Sequence, residues 1–237
     1  MIHPRHQLLA CGIAGMGFSW LTAHQDPRCA SIIAAITACY AISYFVLRST
    51  NALQPAKGTL RSADEAEWRS RILGTVNAVA LTMGSVACFL EWPYDPPTEG
   101  WNGDIWSHPG TFASLFVGYL QWDLLWLLWH SRDHYDPSSI VHHSLFLAIT
   151  HYVLSGTYFK KPFAWLSFTE LSTPFLNARW CLAAAGQKTG KAYFLASLGF
   201  AVTFLATRVV GYTIGLIDMW LSADMWRSRK SGLVGLD

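Results

Sequence analysis

Apolar residues along the chain fall into seven long runs that are separated by polar connectors. A helix needs about 20 apolar residues to cross the hydrocarbon core of a bilayer. We therefore predict an all-α polytopic membrane protein with about seven transmembrane helices. The predicted spans are residues 8–23, 29–47, 72–92, 111–130, 139–158, 163–185 and 192–220.

The first run, residues 8–23, is short and rich in glycine, as is the apolar part of many signal peptides. No A-x-A cleavage site follows it, so we expect it to be retained as a helix.

Residues 48–70 contain four basic and three acidic residues, whereas residues 93–110 contain three acidic residues and no Lys or Arg. The positive-inside rule places the first connector in the cytoplasm and the second across the membrane. With seven spans the amino terminus is then cytoplasmic. The basic RSRK segment of the tail lies on the opposite side of the membrane, which conflicts with the positive-inside rule.

The composition agrees with a membrane protein, because 52% of residues are hydrophobic and 14% are charged, against about a quarter charged in soluble domains. The net charge is +2, and no basic run is dense enough to follow a phosphate backbone, so we exclude a nucleic-acid partner. The five cysteines lack the spacing of a metal site and are interpreted as small core residues.

Polar residues inside the predicted spans are the candidates for chemistry, because a charge at bilayer depth costs roughly 2.5 to 3.5 kcal/mol and normally pairs inside a helix bundle. The candidates are Asp123, His142, His143, His151, Glu170, Arg179 and Arg208. Residues seven apart lie on one stripe of a helix. We therefore expect Asp123 and His130 to share a stripe with Tyr119.

A second stripe is predicted to contain Glu170, Thr173, Pro174 and Asn177. Pro174 lacks the amide hydrogen that would bond the carbonyl of Glu170, so a local distortion is expected beside this acid.

His142 and His143 point about 100° apart on a helix, so one can face a cavity while the other contacts a neighbouring helix. His151 lies eight residues beyond His143 and is therefore expected at a different depth in the helix bundle. A buried neutral imidazole can accept a proton, act as a nucleophile or bind a metal, and Glu170 or Asp123 could orient it. The alternative is that these rings only join helices by hydrogen bonds of about 0.6 kcal/mol each.

Two other classes of site are excluded by residue type. A histidine-box di-iron site is suggested by His130, His134 and the pair at 142–143, but Ser139 stands where the last box needs its first histidine. A retinal Schiff base needs a lysine within a span, and all six lysines lie in connectors or the tail. We therefore expect neither a bound metal nor a bound cofactor. The stretch HSRDHYD, residues 130–136, is interpreted as a solvated connector.

Five segments together resemble the TLC-domain family, which includes the ceramide synthases, the translocating-chain-associating membrane protein and a group of TLC-domain-containing proteins. The segments are EAEWRSRI (65–72), GYLQWDLL (118–125), IVHH (140–143), FTELSTPFLNARW (168–180) and ATRVV (206–210). On this basis we divide the chain into amino-terminal helices with a cytoplasmic loop (1–64), a TLC domain (65–220) and a short tail (221–237).

The resemblance implies a helical barrel around a membrane cavity that is open to acyl-CoA from the cytoplasm. It implies that His142 and His143 act as base or acyl acceptor, oriented by Glu170 or Asp123. It also implies membrane lipids and acyl-CoA as partners, and location in the endoplasmic reticulum. Tyr119, Thr173 and Asn177 are expected either to bind substrate or to pack polar atoms across helices. Arg208 is expected either to bind an anionic headgroup or to pair with an acid.

The chain departs from the ceramide synthases in three ways. It has one acid, Glu170, where they have two aspartates, and it lacks their homeobox-like insertion. It also lacks the further span that usually follows the arginine-bearing helix, so either that helix is missing or residues 8–23 and the last long span compensate. The chain is therefore closer to the TLC-domain-containing group. An acyltransferase and a non-catalytic lipid-binding or lipid-sensing protein both stay open, as does a homo-oligomer.

Overall fold

The structure is a computed structural model that describes residues 27–50, 53–55, 60–91, 109–131, 133, 134, 136–154 and 160–221. Every regular element within these ranges is helical, which confirms the all-α prediction. The helices are α1 (Pro27–Thr50), α2 (Ser62–Glu91), α3 (Pro109–Trp129), α4 (Pro137–Leu154), α5 (Lys160–Phe168), α6 (Thr173–Ala184), α7 (Lys191–Phe204) and α8 (Tyr212–Leu221). A 3-10 turn, Thr169–Ser172, joins α5 to α6, and a π-helical segment, Leu205–Gly211, joins α7 to α8.

Four helical segments within the described ranges are long and apolar enough to cross a membrane. They are Ala30–Thr50, Asp64–Leu90, Phe112–Trp129 and Lys191–Asp218. The protein is therefore an integral membrane protein. Helix α4 and the broken α5–α6 pair do not reach the same combination of length and hydropathy. The predicted span 8–23 lies outside the described residues. The number seven stays a prediction.

Helix α2 begins at Ser62, so the prediction that residues 62–70 belong to a connector is wrong. Charged side chains one turn apart stabilise this polar start of the helix. The pairs are Arg61–Asp64 at 2.7 Å, Glu65–Arg69 at 3.2 Å and Glu67–Arg71 at 2.6 Å. The helix thus extends beyond the apolar run that carries it across the membrane.

The predicted distortion beside Glu170 is confirmed. Residues Thr169–Ser172 form a 3-10 turn, in which the amide of Thr173 donates to the carbonyl of Glu170. Pro174 has no amide hydrogen and cannot provide the α-helical bond to that carbonyl. The π-helical segment, by contrast, was not predicted from the sequence.

Helix α3 lies at the centre of the packing, with Ala113, Val117 and Leu124 fully buried. It contacts α1 closely at Gly118, because the Thr37 hydroxyl lies 3.0 Å from the Gly118 carbonyl oxygen. A Cβ at Gly118 would lie 2.7 Å from Cβ of Ile36. A small residue is therefore required at this crossing, as in many helix pairs in membranes.

Asp136 fixes the start of α4. Its Oδ1 accepts hydrogen bonds from the backbone amides of Ser138 and Ser139, at 3.0 and 3.2 Å. Both serine hydroxyls also donate to its carboxylate, at 2.6 Å each. Pro137 occupies the first helical position, where its missing amide hydrogen is not needed. The hydrogen bonds from Ser138 and Ser139 lower the pKa of Asp136 to about 2.

We predict that Gly118→Ala destabilises the protein by about 1 to 3 kcal/mol, because the added methyl group forces α1 and α3 apart. Thermal unfolding in detergent, followed by circular dichroism, measures this effect. Gly211→Ala is the control, since a Cβ there would meet no atom closer than 3.4 Å. Equal melting temperatures for the two variants would contradict the close crossing.

We predict that Asp136→Ala destabilises the protein by about 1 kcal/mol at pH 7, the usual value for a lost N-cap. The folded-state pKa of Asp136 is depressed, so the stabilisation is present above the unfolded pKa of about 3.9 and is lost as the pH falls towards 2. Asp136→Asn keeps a capping oxygen and should stay near wild-type stability at pH 7 without that acid-dependent loss. Melting curves of the three proteins at pH 7 and pH 3 test this, and identical pH dependence in all of them would show that the cap is not formed.

Candidate functional site

A cavity of about 360 Å³ lies between α2, α3, α4 and α6. The start of α2, the end of α3, the start of α4 and the 130–136 connector surround it. These ends share the membrane face on which residues 48–70 lie, for which the positive-inside rule predicts the cytoplasmic side. The lining residues are mostly polar: Glu67, Ser70, Arg71, Gly74, Tyr119, Asp123, Trp126, Leu127, Asp133, His134, Asp136, Ser139, His143, Thr173 and Asn177.

Asp123 and His143 lie next to each other in the lining of this cavity. Nδ1 of His143 lies 3.3 Å from Oδ2 of Asp123, and the hydroxyl of Ser70 donates to Oδ1 at 3.4 Å. The Nδ1 atom is fully buried, and its contact with Asp123 does not reach hydrogen-bond geometry. In enzymes without substrate such contacts are often loose and tighten on binding. The arrangement places one ring nitrogen of His143 beside a carboxylate.

Arg71 connects α2 to α6. Its Nη1 donates to Oδ1 of Asn177 at 3.1 Å, and its Nε and Nη2 donate to Oε1 of Glu67 at 2.8 and 2.6 Å. Nδ2 of Asn177 returns a hydrogen bond to the Arg71 carbonyl at 3.1 Å and another to the Thr75 hydroxyl at 3.0 Å. The guanidinium also lies 4.5 Å above the ring of Trp180. The positive charge of Arg71 is therefore fixed and largely neutralised by Glu67.

A second imidazole–carboxylate pair lines the same cavity. Nδ1 of His134 lies 3.2 Å from Oε2 of Glu67, and the His134 side chain is only 15% exposed. Glu67 thus binds Arg71 with one oxygen and contacts His134 with the other. The interpretation of residues 130–136 as a merely solvated connector is wrong, because the turn after α3 folds back over the cavity and brings His134 to Glu67.

The structure separates the two adjacent histidines. His143 lines the cavity, whereas His142 is exposed and packs on Phe146 of its own helix, with ring centroids 4.4 Å apart. The backbone of His151 belongs to α4, and its side chain lies outside the described residues.

Among the other predicted site residues, Tyr119, Asp123, Thr173 and Asn177 line the cavity. Glu170 is absent from the lining and accepts a hydrogen bond from the Thr173 hydroxyl at 2.7 Å. Glu170 therefore holds the side chain of the lining residue Thr173 in place without lining the cavity itself.

Arg208 also lies outside the cavity lining, on the π-helical segment. Its guanidinium lies 5.4 Å from the ring centre of Phe204, and its buried Nε has no hydrogen-bond partner among the described residues. Arg179 contacts the Tyr193 hydroxyl at 3.3 Å.

Asp123 and His130, which their seven-residue spacing places on one stripe, line different cavities. His130 contacts the Tyr44 hydroxyl at 3.4 Å through Nε2 and lies beside a different cavity. The indole of Trp126 stacks on His130 with ring centroids 4.6 Å apart and forms part of both cavity walls. The bulk of Trp126 therefore separates the two polar residues that the helical repeat aligns.

Glu67, Ser70, Arg71 and His134 were missed by the sequence reasoning. Glu67, Arg71 and Gly74 are spaced at i, i+4 and i+7, which places them on one helical face. That spacing was available in the sequence, but the assignment of residues 62–70 to a connector concealed it.

Acidic side chains outnumber basic ones around the cavity, with Glu67, Asp123, Asp133 and Asp136 against the single cation Arg71. Within the described part of the chain, no group of three or more His, Cys, Asp and Glu residues could hold a metal ion.

A family model for the TLC domain matches residues 67–233. TLC domain-containing protein 4-B of Danio rerio is 29% identical over 147 residues, which are 60% of this chain and 54% of that protein. TLC domain-containing protein 4 of Xenopus tropicalis is 30% identical over 150 residues, which are 61% and 56% of the two chains. The human protein of that name is 25% identical over 174 residues, 72% of this chain and 63% of its own. No solved structure matches significantly.

The matched part of the chain thus spans just over half the length of the first two relatives. The family match, however, covers well over half of the present sequence, and it includes every helix that lines the cavity from α2 to α6. The chain belongs to the TLC-domain family.

Proposed function

We propose that this protein binds the polar end of a membrane lipid in the cavity and transfers an acyl group to it from acyl-CoA. The observation that carries the proposal is the pairing of His143 with Asp123 inside a polar cavity of about 360 Å³. The resemblance to ceramide synthases supports this reaction and the endoplasmic reticulum as its location. The protein would thereby act in membrane lipid homeostasis.

In this reaction His143 is the general base. With its Nδ1–H directed to Asp123, Nε2 carries the lone pair that takes the proton from an amine or hydroxyl of the acceptor lipid. Nε2 takes this proton as the nitrogen or oxygen bonds to the thioester carbonyl carbon, and the carbon–sulfur bond then breaks. The carboxylate of Asp123 stabilises the imidazolium that forms, and general base catalysis of this kind contributes roughly 10²- to 10⁴-fold.

The leaving thiolate of CoA requires a proton. His134 lines the same cavity, and its Nδ1 lies 3.2 Å from Oε2 of Glu67, so the ring is held in place beside the reacting groups. In this scheme His134 gives that proton to sulfur, and the proton held by His143 later returns to His134 through solvent. The two histidines therefore end the cycle in their starting states.

The charge of the cavity favours an amine over a hydroxyl as the acceptor group. Arg71 is neutralised by Glu67, so Asp133 and Asp136 at the mouth of the cavity leave a net negative charge. Asp136, with a pKa of about 2, stays ionised at neutral pH. An ammonium group is attracted to such a site. It first loses one proton to solvent, and His143 takes the second proton as the nitrogen attacks the thioester.

Non-catalytic lipid binding is a second candidate, favoured by two observations. His142 lies outside the cavity lining, and the contact of His143 with Asp123 does not reach hydrogen-bond geometry. In that case the same cavity holds a lipid headgroup, and neither histidine takes part in turnover.

We predict that His143→Gln lowers acyl transfer at least 100-fold, while His142→Gln changes it less than threefold, because only His143 faces the cavity. Purified protein is incubated with labelled acyl-CoA and a lipid extract, and labelled lipid is counted. Circular dichroism melts confirm that both variants are folded.

Full transfer by His143→Gln would contradict the mechanism. A wild-type protein without turnover, which co-purifies with a lipid that Asn177→Ala releases, would favour the non-catalytic candidate.

A further inference from the structure

A second cavity, of about 180 Å³, lies between α1 and α3 and is separated from the first by the indole of Trp126. The two helices touch at Gly118, and towards their carboxyl ends large aromatic side chains hold them apart. The cavity is lined by Ala41, Tyr44, Phe45, Arg48, Trp122, Leu125, Trp126, Trp129 and His130. Nothing in the acyl-transfer scheme uses this cavity.

The charge of this second cavity is opposite to that of the first. Among the described residues that line it there is no Asp or Glu, and Arg48 is their one permanent charge. Nδ1 of His130 lies 3.0 Å from the Trp126 carbonyl, and its Nε2 lies 3.4 Å from the Tyr44 hydroxyl. A neutral ring that donates to the carbonyl and accepts from the tyrosine satisfies both nitrogens. Arg48 is exposed and makes no ion pair within the described residues, so its charge is available to an anion.

The second cavity faces the membrane at the depth of the lipid headgroups. Arg48 lies in the last turn of α1, and Trp129 is the last residue of α3. The outer wall is strongly exposed, with Trp129 at 84%, Phe45 at 62% and Leu125 at 42%. Tryptophan, tyrosine and basic residues gather at this depth, and the positive-inside rule predicts that it is the cytoplasmic leaflet, which carries the anionic lipids.

We propose that the second cavity binds one anionic phospholipid of the cytoplasmic leaflet. Its phosphate pairs with the Arg48 guanidinium, and one acyl chain lies along Phe45, Leu125 and Trp129. The absence of an acid from the cavity lining, combined with the unpaired Arg48, favours an anionic headgroup over a zwitterionic one. This site is independent of acyl transfer and remains if the cavity around His143 proves to be non-catalytic.

Native mass spectrometry of the full chain tests the site. The protein is released from detergent micelles with equal amounts of phosphatidylglycerol and phosphatidylcholine, and bound lipid is counted. We expect preferential retention of phosphatidylglycerol, and a loss of about fivefold in Arg48→Gln, the effect of one basic residue against an anionic lipid. Arg61→Gln is the matched control, because this arginine is also exposed but already pairs with Asp64 at 2.7 Å.

Two further measurements in the same experiment identify what the second cavity binds. Trp129→Ala removes an exposed part of the wall and should lower phosphatidylglycerol retention without unfolding the protein. Millimolar inorganic phosphate should not displace the lipid, and displacement would mean that the site binds free phosphate instead. Equal retention of both lipids, or equal loss in the Arg48 and Arg61 variants, would overturn the proposal.

Discussion

Polar side chains are costly inside a low-dielectric membrane unless they pair with one another, and this constraint determines how the bundle is built. Helices α2, α3, α4 and α6 each contribute polar side chains, and these side chains face one another across a common cavity. Arg71 is the central link, because Glu67 on its own helix neutralises it and Asn177 of α6 binds it. Without such pairing, the charges that α2 carries into the membrane would be costly, and the cavity would lose one wall.

The same bundle separates two environments of opposite charge. Trp126 forms a wall of both cavities, with acids and a fixed arginine on one side and the unpaired Arg48 on the other. The two cavities therefore differ in charge although they share one side chain.

Much of this arrangement could be predicted from the sequence. Apolar runs indicate helices, and charged residues within those runs indicate candidate site residues. The break before Pro174 was predictable, since proline removes one defined hydrogen bond. The choice of His143 over His142 was not, because both lie on one helix and only the packing of α3 against α4 decides which ring meets Asp123. Glu67 and His134 were missed because charged residues beside a span resemble a solvated connector until the tertiary fold brings them together.

The orientation of the His143 ring is the centre of this proposal, and side-chain ¹⁵N NMR of the full chain tests it most directly. The nine histidines are labelled, and the His143 signals are assigned by their loss in His143→Gln. We predict that Nδ1 carries a proton directed towards Asp123, and that the Nε2 signal shifts when a long-chain lipid amine is added. A ring protonated only at Nε2, or an Nε2 signal that the amine leaves unchanged, would contradict the role of His143 as a base in this cavity.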